Sequence, residues 1–399
     1  MAGDSNTFLK VRLGAAVPFA DLSPQVISVE IKDEDRGSDV ATVVLADQAH
    51  VNAEAIREGQ EMRIEMGWEG EHALLFIGEV RRTEAVAPSE GNATGQVRVT
   101  AYDLSCRMQG RPEVATRTHA GTLRSILSTL AQRANIPVAD VVIDPMPEWP
   151  KDGAFLEQLN RSDWEMIQDL AEEYHARAFV EVNATASDSA EELAAGGGAR
   201  LYFISQAALL AQEPMGSMVY CRGSGSLLEF RLQRIGSGAS PSASVVTQNP
   251  VTGEVLRETA PPHAPDAPAA LGPNQSEGLE AAVGSGRAAS AAAAVDFANA
   301  QPVTPSATRP VTEQTGTPSD PALARGLIEQ DQTRKLGLLG SGLAMGTVFL
   351  RAKGSVEIAG LANGASGLWY VRRVSHLFER QGDGTATRKT FRSRFEATR

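Results

Sequence analysis

Apolar and polar residues alternate along several short stretches at both ends of the chain, and this pattern restricts the fold more than any other feature. In QVISVEIKD, Ile27, Val29 and Ile31 are expected on one face of a strand, with the polar residues between them on the other. The stretch EMRIEMGW repeats the pattern from Met62 to Trp68. Further strands are predicted over 40–45, 74–83 and 96–102. Turn residues separate these strands at spacings typical of an antiparallel barrel or sandwich.

Apolar residues shift to helical spacing in the middle of the chain. One helix is predicted behind Thr122, a suitable N-cap, and a second behind the capping box of Ser162 and Glu165. Two strands follow, over 178–182 and 201–204. Helices and strands that alternate in this way predict a small α+β domain.

The composition changes to Ala, Pro, Gly, Ser and Thr between residues 259 and 322. Ten of the 21 prolines of the chain lie in this window, and Phe297 is its only aromatic residue. Such a segment has too little apolar surface to offset the entropy lost on ordering. We therefore expect a flexible insertion that is dispensable for folding, after which the strand pattern returns.

A short internal repeat links the two strand-rich ends. FIGEVRRTE and WYVRRVSH share Val-Arg-Arg, and in each copy a glycine stands eleven positions after the valine, Val80 or Val371. A threonine follows three positions later, and a glycine with an alternating strand precedes each copy. The repeat predicts two domains of one β-architecture, one at each end of the chain.

The repeated arginines are Arg81, Arg82, Arg372 and Arg373, and we predict that they lie at an inter-subunit interface. Neighbouring side chains on a flat strand point to opposite faces, so a pair cannot clamp one phosphate. One arginine of each pair is therefore expected to face a barrel core or an adjoining subunit, and the other the opposite side of the wall.

A catalytic role for the second copy would need His376 as a general base. Its counterpart by position is Ala85, and no Asp or Cys stands near His376 in sequence to orient or use it. We predict a structural histidine.

Other chemical motifs are absent from the sequence. GxSxG, HExxH, CxxC and P-loop patterns do not occur, and the six histidines are scattered. The run GLLGSGLAMG lacks the strand, helix and acidic residue that surround a dinucleotide loop. Cys106 and Cys221 stand far apart without metal-ligand spacing. We therefore predict no catalytic residue, no cofactor and no metal site.

The charge and hydropathy of the chain limit its partners. A formal net charge of −12 argues against specific nucleic-acid binding, which depends on Lys and Arg. No apolar run approaches the roughly 18 residues of a membrane helix, and the N-terminus lacks the apolar core of a Sec-type export signal. We expect neither a membrane anchor nor Sec-type export.

The order of these pieces resembles the phage late control D family of tail baseplate hub proteins. The resemblance rests on FIGEV with QVRVTAYDL, the GTLRSIL helix and SDWEMIQDLAEEYHARAFVEV, an order that spike proteins of type VI secretion share. YCRGSGSLLEF, VVTQNPVTGEVL and the stretch from VEIAGL to RKTF are similar to the second barrel of that family. The likeness covers nearly all of the chain except about 259–322.

The resemblance implies a mainly β (α+β) fold with two similar tube-type antiparallel β-barrel domains, a small α+β domain and a low-complexity insertion. The implied boundaries are 1–112 for the first barrel, completed by about 216–236; 113–215 for the peripheral α+β domain; 240–258 and 323–399 for the second barrel; and 259–322 for the insertion.

The resemblance also implies a homotrimer whose six barrels form a pseudo-sixfold ring between tail tube and central spike. Its partners would be the spike protein, the tail tube or a tube-initiator protein, and baseplate wedge proteins, with DNA or an effector passing through the lumen. The implied location is a virion tail baseplate or an injection particle assembled in the bacterial cytoplasm.

Two alternatives remain open. A particle-associated cell-wall hydrolase would need two carboxylates or a metal cluster in one cleft. A carbohydrate-binding tail fibre module would need exposed aromatic residues, whereas only 5% of residues are aromatic. The sequence does not distinguish a phage from a gene-transfer particle or an injection device.

Overall fold

A computed structural model shows the architecture. It describes residues 7–14, 19–47, 51–86, 95–110, 116–151, 153–174, 176–182, 198–220, 225–234, 244–248, 255–259, 338–361, 365–382 and 387–399. The expected insertion, apart from residue 259, lies outside the described residues.

The N-terminal strands form what we call the first β-unit. Its strands are β1 (Thr7–Gly14), β2 (Ala20–Asp21), β3 (Val26–Glu34), β4 (Val40–Asp47), β5 (Glu61–Trp68), β6 (Glu71–Val86) and β7 (Gly95–Asp103). A short helix α1 (Val51–Ala55) follows β4, and 3-10 helices cover Ser23–Gln25 and Leu104–Met108.

An α+β unit follows. Its strands are β8 (Arg117–His119), β9 (Gly121–Thr122), β10 (Val138–Val142), β11 (Glu148–Trp149), β12 (Leu156–Gln158), β13 (Ala176–Val182) and β14 (Ala199–Ser205). Its helices are α2 (Leu123–Arg133), α3 (Asp163–Glu173) and α4 (Gln206–Leu210).

The remaining strands form the second β-unit and one separate hairpin. The second β-unit contains β15 (Ser217–Val219), β16 (Leu227–Arg234), β19 (Leu338–Met345), β20 (Ser355–Ala359), β21 (Gly367–Gly382) and β22 (Thr387–Thr398). The hairpin consists of β17 (Ser244–Gln248) and β18 (Val255–Thr259).

The predicted helix caps are present in the α+β unit. The Thr122 side chain accepts a hydrogen bond from the Ser125 amide, and Ser162 and Glu165 form the complete capping box of α3. Helices α2 and α3 pack their apolar faces on a three-stranded sheet of order β10–β14–β13. No helix in the described part of the chain is long and apolar enough to cross a membrane.

Both β-units belong to one 13-stranded sheet, so the fold is mainly β with a small α+β part, as expected. The strand order is β16–β19–β22–β21–β3–β4–β7–β6–β5–β1–β2, and β20 joins β21 and β15. The two cores are largely separate: the first is rich in Val, Ile and Met and also includes Phe378 and Phe391 from β21 and β22, and the second surrounds Trp369 and Phe395.

The expected barrel boundaries need two corrections. Residues 216–236 do not complete the first barrel, because β15 pairs with β20 and β16 pairs with β19. Within 240–258, the strands β17 and β18 pair with each other, in a sheet separate from the 13-stranded one. The first difference comes from pairings between strands far apart in sequence, and the second from a local hairpin that stays outside the large sheet.

The strand order itself is doubled. In the first β-unit the order β3–β4–β7–β6–β5 is antiparallel throughout, and β16–β19–β22–β21–β20 repeats it in the second. The first strand of each series also carries a register shift at the same place, between Val26 and Ser28 and between Leu227 and Glu229. This agreement extends the sequence repeat to the whole topology.

The register shift in β3 changes one predicted face. Val26, Val29 and Ile31 are buried in the core, whereas Ile27 is only partly buried. A bulge adds a residue to one strand and thereby reverses the alternation across it. The prediction that Ile27 shares a face with Val29 was therefore wrong.

The glycine-rich run GLLGSGLAMG is strand β19, which agrees with the rejection of a dinucleotide loop. A Cβ atom on Gly340 would lie 2.4 Å from Phe230 and 3.0 Å from Trp369, and one on Gly342 would lie 2.4 Å from Phe395. The glycines make room for the aromatic core of the second β-unit.

Candidate functional site

The two arginine pairs occupy equivalent bulges. The β6–β7 register shifts between Val80 and Arg82, and the β21–β22 register shifts between Val371 and Arg373. Arg81 and Arg372 are therefore the extra residues in two matching strands. The duplication predicted from the Val-Arg-Arg repeat extends to this local backbone irregularity.

The first pair lies on the surface of the first β-unit. The Arg81 guanidinium donates to the carbonyl oxygen of Cys106 at 3.1 Å and lies 3.3 Å from Glu79. Arg82 is 72% exposed and lies 3.6 Å from Glu84, its neighbour on the same strand.

The second pair lies where the two β-units meet. Arg373 forms ion pairs with Glu34 of β3 at 2.9 Å and with Glu396 of β22 at 3.5 Å. Arg372 lies 4.0 Å from Asp35, just beyond β3. Both arginine side chains are about half exposed.

None of the four arginines faces a core, so the core alternative does not hold for either pair, while their place at an inter-subunit interface stays a prediction. The expectation assumed a flat strand with strictly alternating faces. The bulge removes that alternation, so both members of a pair remain at the surface. Their partners in the described residues belong to the same chain.

The junction between the β-units uses one edge of the long strand β21. Residues 367–370 of this edge pair with β20, and residues 373–379 of the same edge pair with β3. The bulge at Arg372 separates the two pairings. One strand thus completes the second β-unit and attaches it to the first.

A buried ionic cluster lies beneath this junction, and the sequence analysis did not identify it. Lys353 Nζ lies 2.5 Å from Asp33 and 3.4 Å from Asp39, and Asp33 also accepts from the Ala352 amide at 2.9 Å. Asp103 accepts from the Asp39 amide at 2.5 Å. Lys353 and Asp33 are almost completely buried, so the second β-unit is bound to the first by a desolvated ion pair.

The α+β unit contacts the same cluster. Lys353 Nζ lies 5.1 Å from the centre of the Phe179 ring on β13, a cation–π distance. Phe179 packs in turn with Ile204 and with Tyr370 of β21. Lys353 therefore touches all three units of the chain.

The backbone at Lys353 matches the first β-unit in a further way. Lys353 has φ +66°, and Gly59, with φ +84°, is the equivalent residue. Their amides donate to the carbonyl oxygens of Val371 and Val80 respectively, the valines of the repeated motif. A left-handed lysine is uncommon, because a side chain there is disfavoured relative to glycine.

Burial and charge together set the protonation of the cluster. Burial raises the pKa of Asp33, but the charges of Lys353 and Arg351 outweigh it, so this pKa lies below its usual value. Burial lowers the pKa of Lys353, but Asp33 and Asp39 raise it above its usual value. Both groups are therefore charged at neutral pH.

The other two carboxyl groups respond in the opposite direction. Burial and the charge of Asp33 raise the pKa of Asp39 well above its usual value. Burial raises the pKa of Asp103 to about 6, although hydrogen bonds from Ser105 and Asp39 oppose the shift. The cluster therefore combines a charged ion pair, Lys353 with Asp33, and two carboxyl groups, Asp39 and Asp103, whose pKa values are higher than in the unfolded chain.

His376 has only structural contacts. Its Nδ1 lies 3.0 Å from the Ser393 hydroxyl, and its Nε2 lies 3.0 Å from the carbonyl oxygen of Leu350. Because a carbonyl only accepts, Nε2 carries the proton. Burial and the charge of Arg351 lower the pKa of His376 to about 4, so the ring is neutral and buried. Both nitrogens are engaged within the fold.

The described residues contain no group of three or more His, Cys, Asp or Glu side chains that could hold a metal ion. Cys106 is buried, and this burial raises its pKa to about 11, which disfavours the reactive thiolate.

Comparison with known proteins locates the fold. No protein-family model and no curated protein matches the sequence. Among solved structures, a tail protein from Neisseria meningitidis aligns with TM-score 0.60 at 8% identity over 98% of this chain and 96% of its own. The 43 kDa tail protein of prophage MuSo2 from Shewanella oneidensis aligns with TM-score 0.60 at 11% identity over 98% of both chains.

A third similar structure comes from a different kind of particle. It is an E. coli protein described as a component of the type VI secretion system with structural similarity to the T4 tail proteins gp27 and gp5. It aligns with TM-score 0.52 at 8% identity over 94% of this chain and 73% of its own. The chain therefore has the fold of these phage tail and type VI secretion proteins, as its resemblance to the baseplate hub family had implied.

Proposed function

We propose that this protein is a structural baseplate hub of a phage tail or of a contractile injection particle. Three copies form a ring of pseudo-sixfold symmetry that joins the tail tube to the central spike. Solved structures with the same fold are described as tail proteins and as a type VI secretion component, which supports a tail role.

The doubled strand order is the observation that carries the proposal. A six-subunit tube and a three-chain spike share only a threefold axis, and a chain with two equivalent units satisfies both. Here the β3–β4–β7–β6–β5 order recurs as β16–β19–β22–β21–β20, including both bulges. Six such units in three chains provide a ring that matches both neighbours.

The remaining parts of the proposal follow from this ring. The spike protein binds below it, the tail tube or a tube-initiator protein above it, and wedge proteins at its periphery. The α+β unit lies outside the ring, and DNA or an effector passes through the lumen. The role is structural and uses no cofactor, and the particle assembles in the bacterial cytoplasm.

Measurement of the native mass tests the proposal. Size-exclusion chromatography with light scattering is expected to give three times the 42.3 kDa of one chain, for the protein alone or coexpressed with the spike of the same particle. Electron-microscopy images along the axis are expected to show six similar lobes. A mass of one or two chains in the presence of the spike contradicts the proposed ring.

A further inference from the structure

Strand β21 joins the two β-units by pairing with β3. Its equivalent in the first β-unit, strand β6, has a matching edge that is unpaired among the described residues. After its bulge, β21 pairs with β3, from Arg373 opposite Glu34 to Glu379 opposite Ser28. After the equivalent bulge, residues 82–86 of β6 pair with β7 on one side and with no described strand on the other. The first β-unit thus repeats the attaching edge of the second.

The matching surface is also unpaired within the described part of the chain. Strand β16 is the equivalent of β3 in the doubled order; among the described residues it pairs with β19 and, apart from an isolated bridge between Leu227 and Tyr220, with no other segment. In the first β-unit, by contrast, β3 lies between β4 and β21. The chain therefore contains one such junction, between β21 and β3. It also has the two strand edges that would form a second one, residues 82–86 of β6 and strand β16.

We propose that residues 82–86 of one copy pair with strand β16 of a second copy, antiparallel and in the register of the internal junction. The register follows from the equivalences within the sheet. Ala85 lies opposite Val97 as His376 lies opposite Ser393, and Leu232 lies opposite Gly340 as Ile31 lies opposite Ala41. Since His376 pairs with Ile31, the pairs between copies are Thr83–Arg234, Glu84–Gln233, Ala85–Leu232 and Val86–Arg231.

Burial differs between the two edges as the proposal requires. Val374 and His376 are completely buried where β3 covers them, whereas their equivalents Thr83 and Ala85 are exposed. On the opposing strand, Ile31 is 1% exposed while its equivalent Leu232 is only partly buried. The residues at the internal junction are thus buried, whereas the equivalent residues at the proposed contact between copies are exposed or only partly buried.

The composition of the open edge favours a strand partner. Val86 is 51% exposed at the end of β6, which is an unfavourable state for an apolar residue on a sheet edge. In the proposed register Glu84 lies diagonally opposite Arg231, on one face of the joined sheet. A second copy of this chain supplies both the backbone partner and the opposite charge.

The contact joins different surfaces of the two copies, so it propagates from head to tail. Such a contact closes into a ring when the rotation per unit divides a full turn. That three copies close the ring rests on the proposed function. The strand pairing and its register rest on the internal junction alone.

A disulfide between copies tests the register. The Asp35 amide donates to the carbonyl oxygen of Arg372, so Arg372 and Asp35 form a hydrogen-bonded pair. Hydrogen-bonded and non-hydrogen-bonded pairs alternate along an antiparallel ladder, so Ser375 with Lys32, three positions further along, is not hydrogen-bonded. The Cα atoms of such pairs lie close enough for a disulfide. Glu84 with Gln233 is the equivalent pair between copies.

The experiment uses the full chain with Cys106 and Cys221 replaced by serine. Glu84→Cys with Gln233→Cys is expected to give a covalent species of three chains on a non-reducing gel after mild oxidation. The internal control, Ser375→Cys with Lys32→Cys, is expected to lose both thiols while it stays at the mass of one chain. Glu84→Cys with Leu232→Cys is one residue out of register and is expected to remain unlinked.

A proline variant tests the backbone contact independently. By equivalence with the internal junction, the Ala85 amide points to the free edge and the Glu84 amide to β7. Ala85→Pro is therefore expected to fold with unchanged circular dichroism but to lose ring formation, since proline is tolerated at an unpaired edge position. Glu84→Pro is expected to disturb the β6–β7 ladder and hence the fold.

The outcomes separate the two proposals. A native mass of three chains with no cross-link for Glu84→Cys with Gln233→Cys, while the internal control oxidises, overturns the pairing and leaves the hub proposal standing. A native mass of one chain with the spike present overturns both. Cross-linking of the out-of-register pair to the same extent overturns the register.

Discussion

Replacement of Lys353 by methionine tests whether the buried ion pair binds the two β-units together. The methionine side chain is similar in length to lysine, and both residues are disfavoured to a similar degree in the left-handed backbone conformation at position 353. The exchange therefore removes mainly the charge. It leaves Asp33, whose side chain is 0% exposed, without its partner. The Ala352 amide remains as a donor to Asp33.

Two estimates of the magnitude agree. Removal of one partner of a buried ion pair typically costs 3–5 kcal/mol, because the remaining charge is uncompensated. Asp33 can instead take up a proton, and to protonate a carboxyl group of pKa about 3.9 at pH 7 costs about 4 kcal/mol. We therefore expect Lys353→Met to lower the free energy of unfolding by about 3–4 kcal/mol at pH 7.

The pH dependence gives the sharper criterion. In the native protein the lowered pKa of Asp33 contributes stability that is present above about pH 4 and is lost as pH falls through the folded pKa. In the variant the isolated carboxyl has a raised pKa, so the variant loses stability as pH rises. The difference between the two proteins is therefore expected to grow from below about 1 kcal/mol at pH 4 to its full size at pH 7.

The assay is guanidinium denaturation followed by tryptophan fluorescence at both pH values. Lys353→Met with Asp33→Asn is the control, because the double variant removes the charge of Asp33 together with that of its cation and is expected to recover most of the loss. Equal destabilisation at pH 4 and pH 7, or less than about 1 kcal/mol at pH 7, refutes the argument that an uncompensated charge causes the effect.

Three further predictions concern other parts of the fold. Gly340→Val is expected to cost about 1–3 kcal/mol in denaturation experiments by overpacking against Phe230, whereas Ser341→Val, on the exposed face, changes stability by less than about 0.5 kcal/mol. Asp103→Asn removes a group whose pKa is raised to about 6, so the native protein is expected to lose about 2 kcal/mol relative to this variant between pH 4 and pH 7. Arg373→Ala is expected to lower the free energy of unfolding of the single chain by less than about 1 kcal/mol in denaturation experiments, because its ion pairs with Glu34 and Glu396 are exposed.

The sequence predicted the strands well because a half-buried sheet requires alternation at every position. It predicted the helix caps as well, since both residues of a capping box lie within one turn. The repeat of Val-Arg-Arg located matching strands from only three shared residues. Each of these signals is local, so neighbouring residues suffice to detect it.

Pairing between distant strands was not predictable in the same way. Residues 216–236 looked equally suited to either unit, and only their partners assigned them to the second. The bulge at Arg372 has no signature in the residues that form it, so the sequence did not reveal that both arginines of a pair lie at the surface of the chain. Lys353 and Asp33 lie 320 positions apart, so no local pattern connects them.

The comparison of the two β-units separates features that both units have from features that one unit has alone. Both have the bulge before Arg82 and Arg373. Lys353 stands where the first unit keeps Gly59, and the five residues 35–39 between β3 and β4 correspond to 235–337 between β16 and β19. The junction within the chain is thus held by a buried lysine that has no equivalent in the first β-unit, so this contact and the one proposed between copies need not have the same strength.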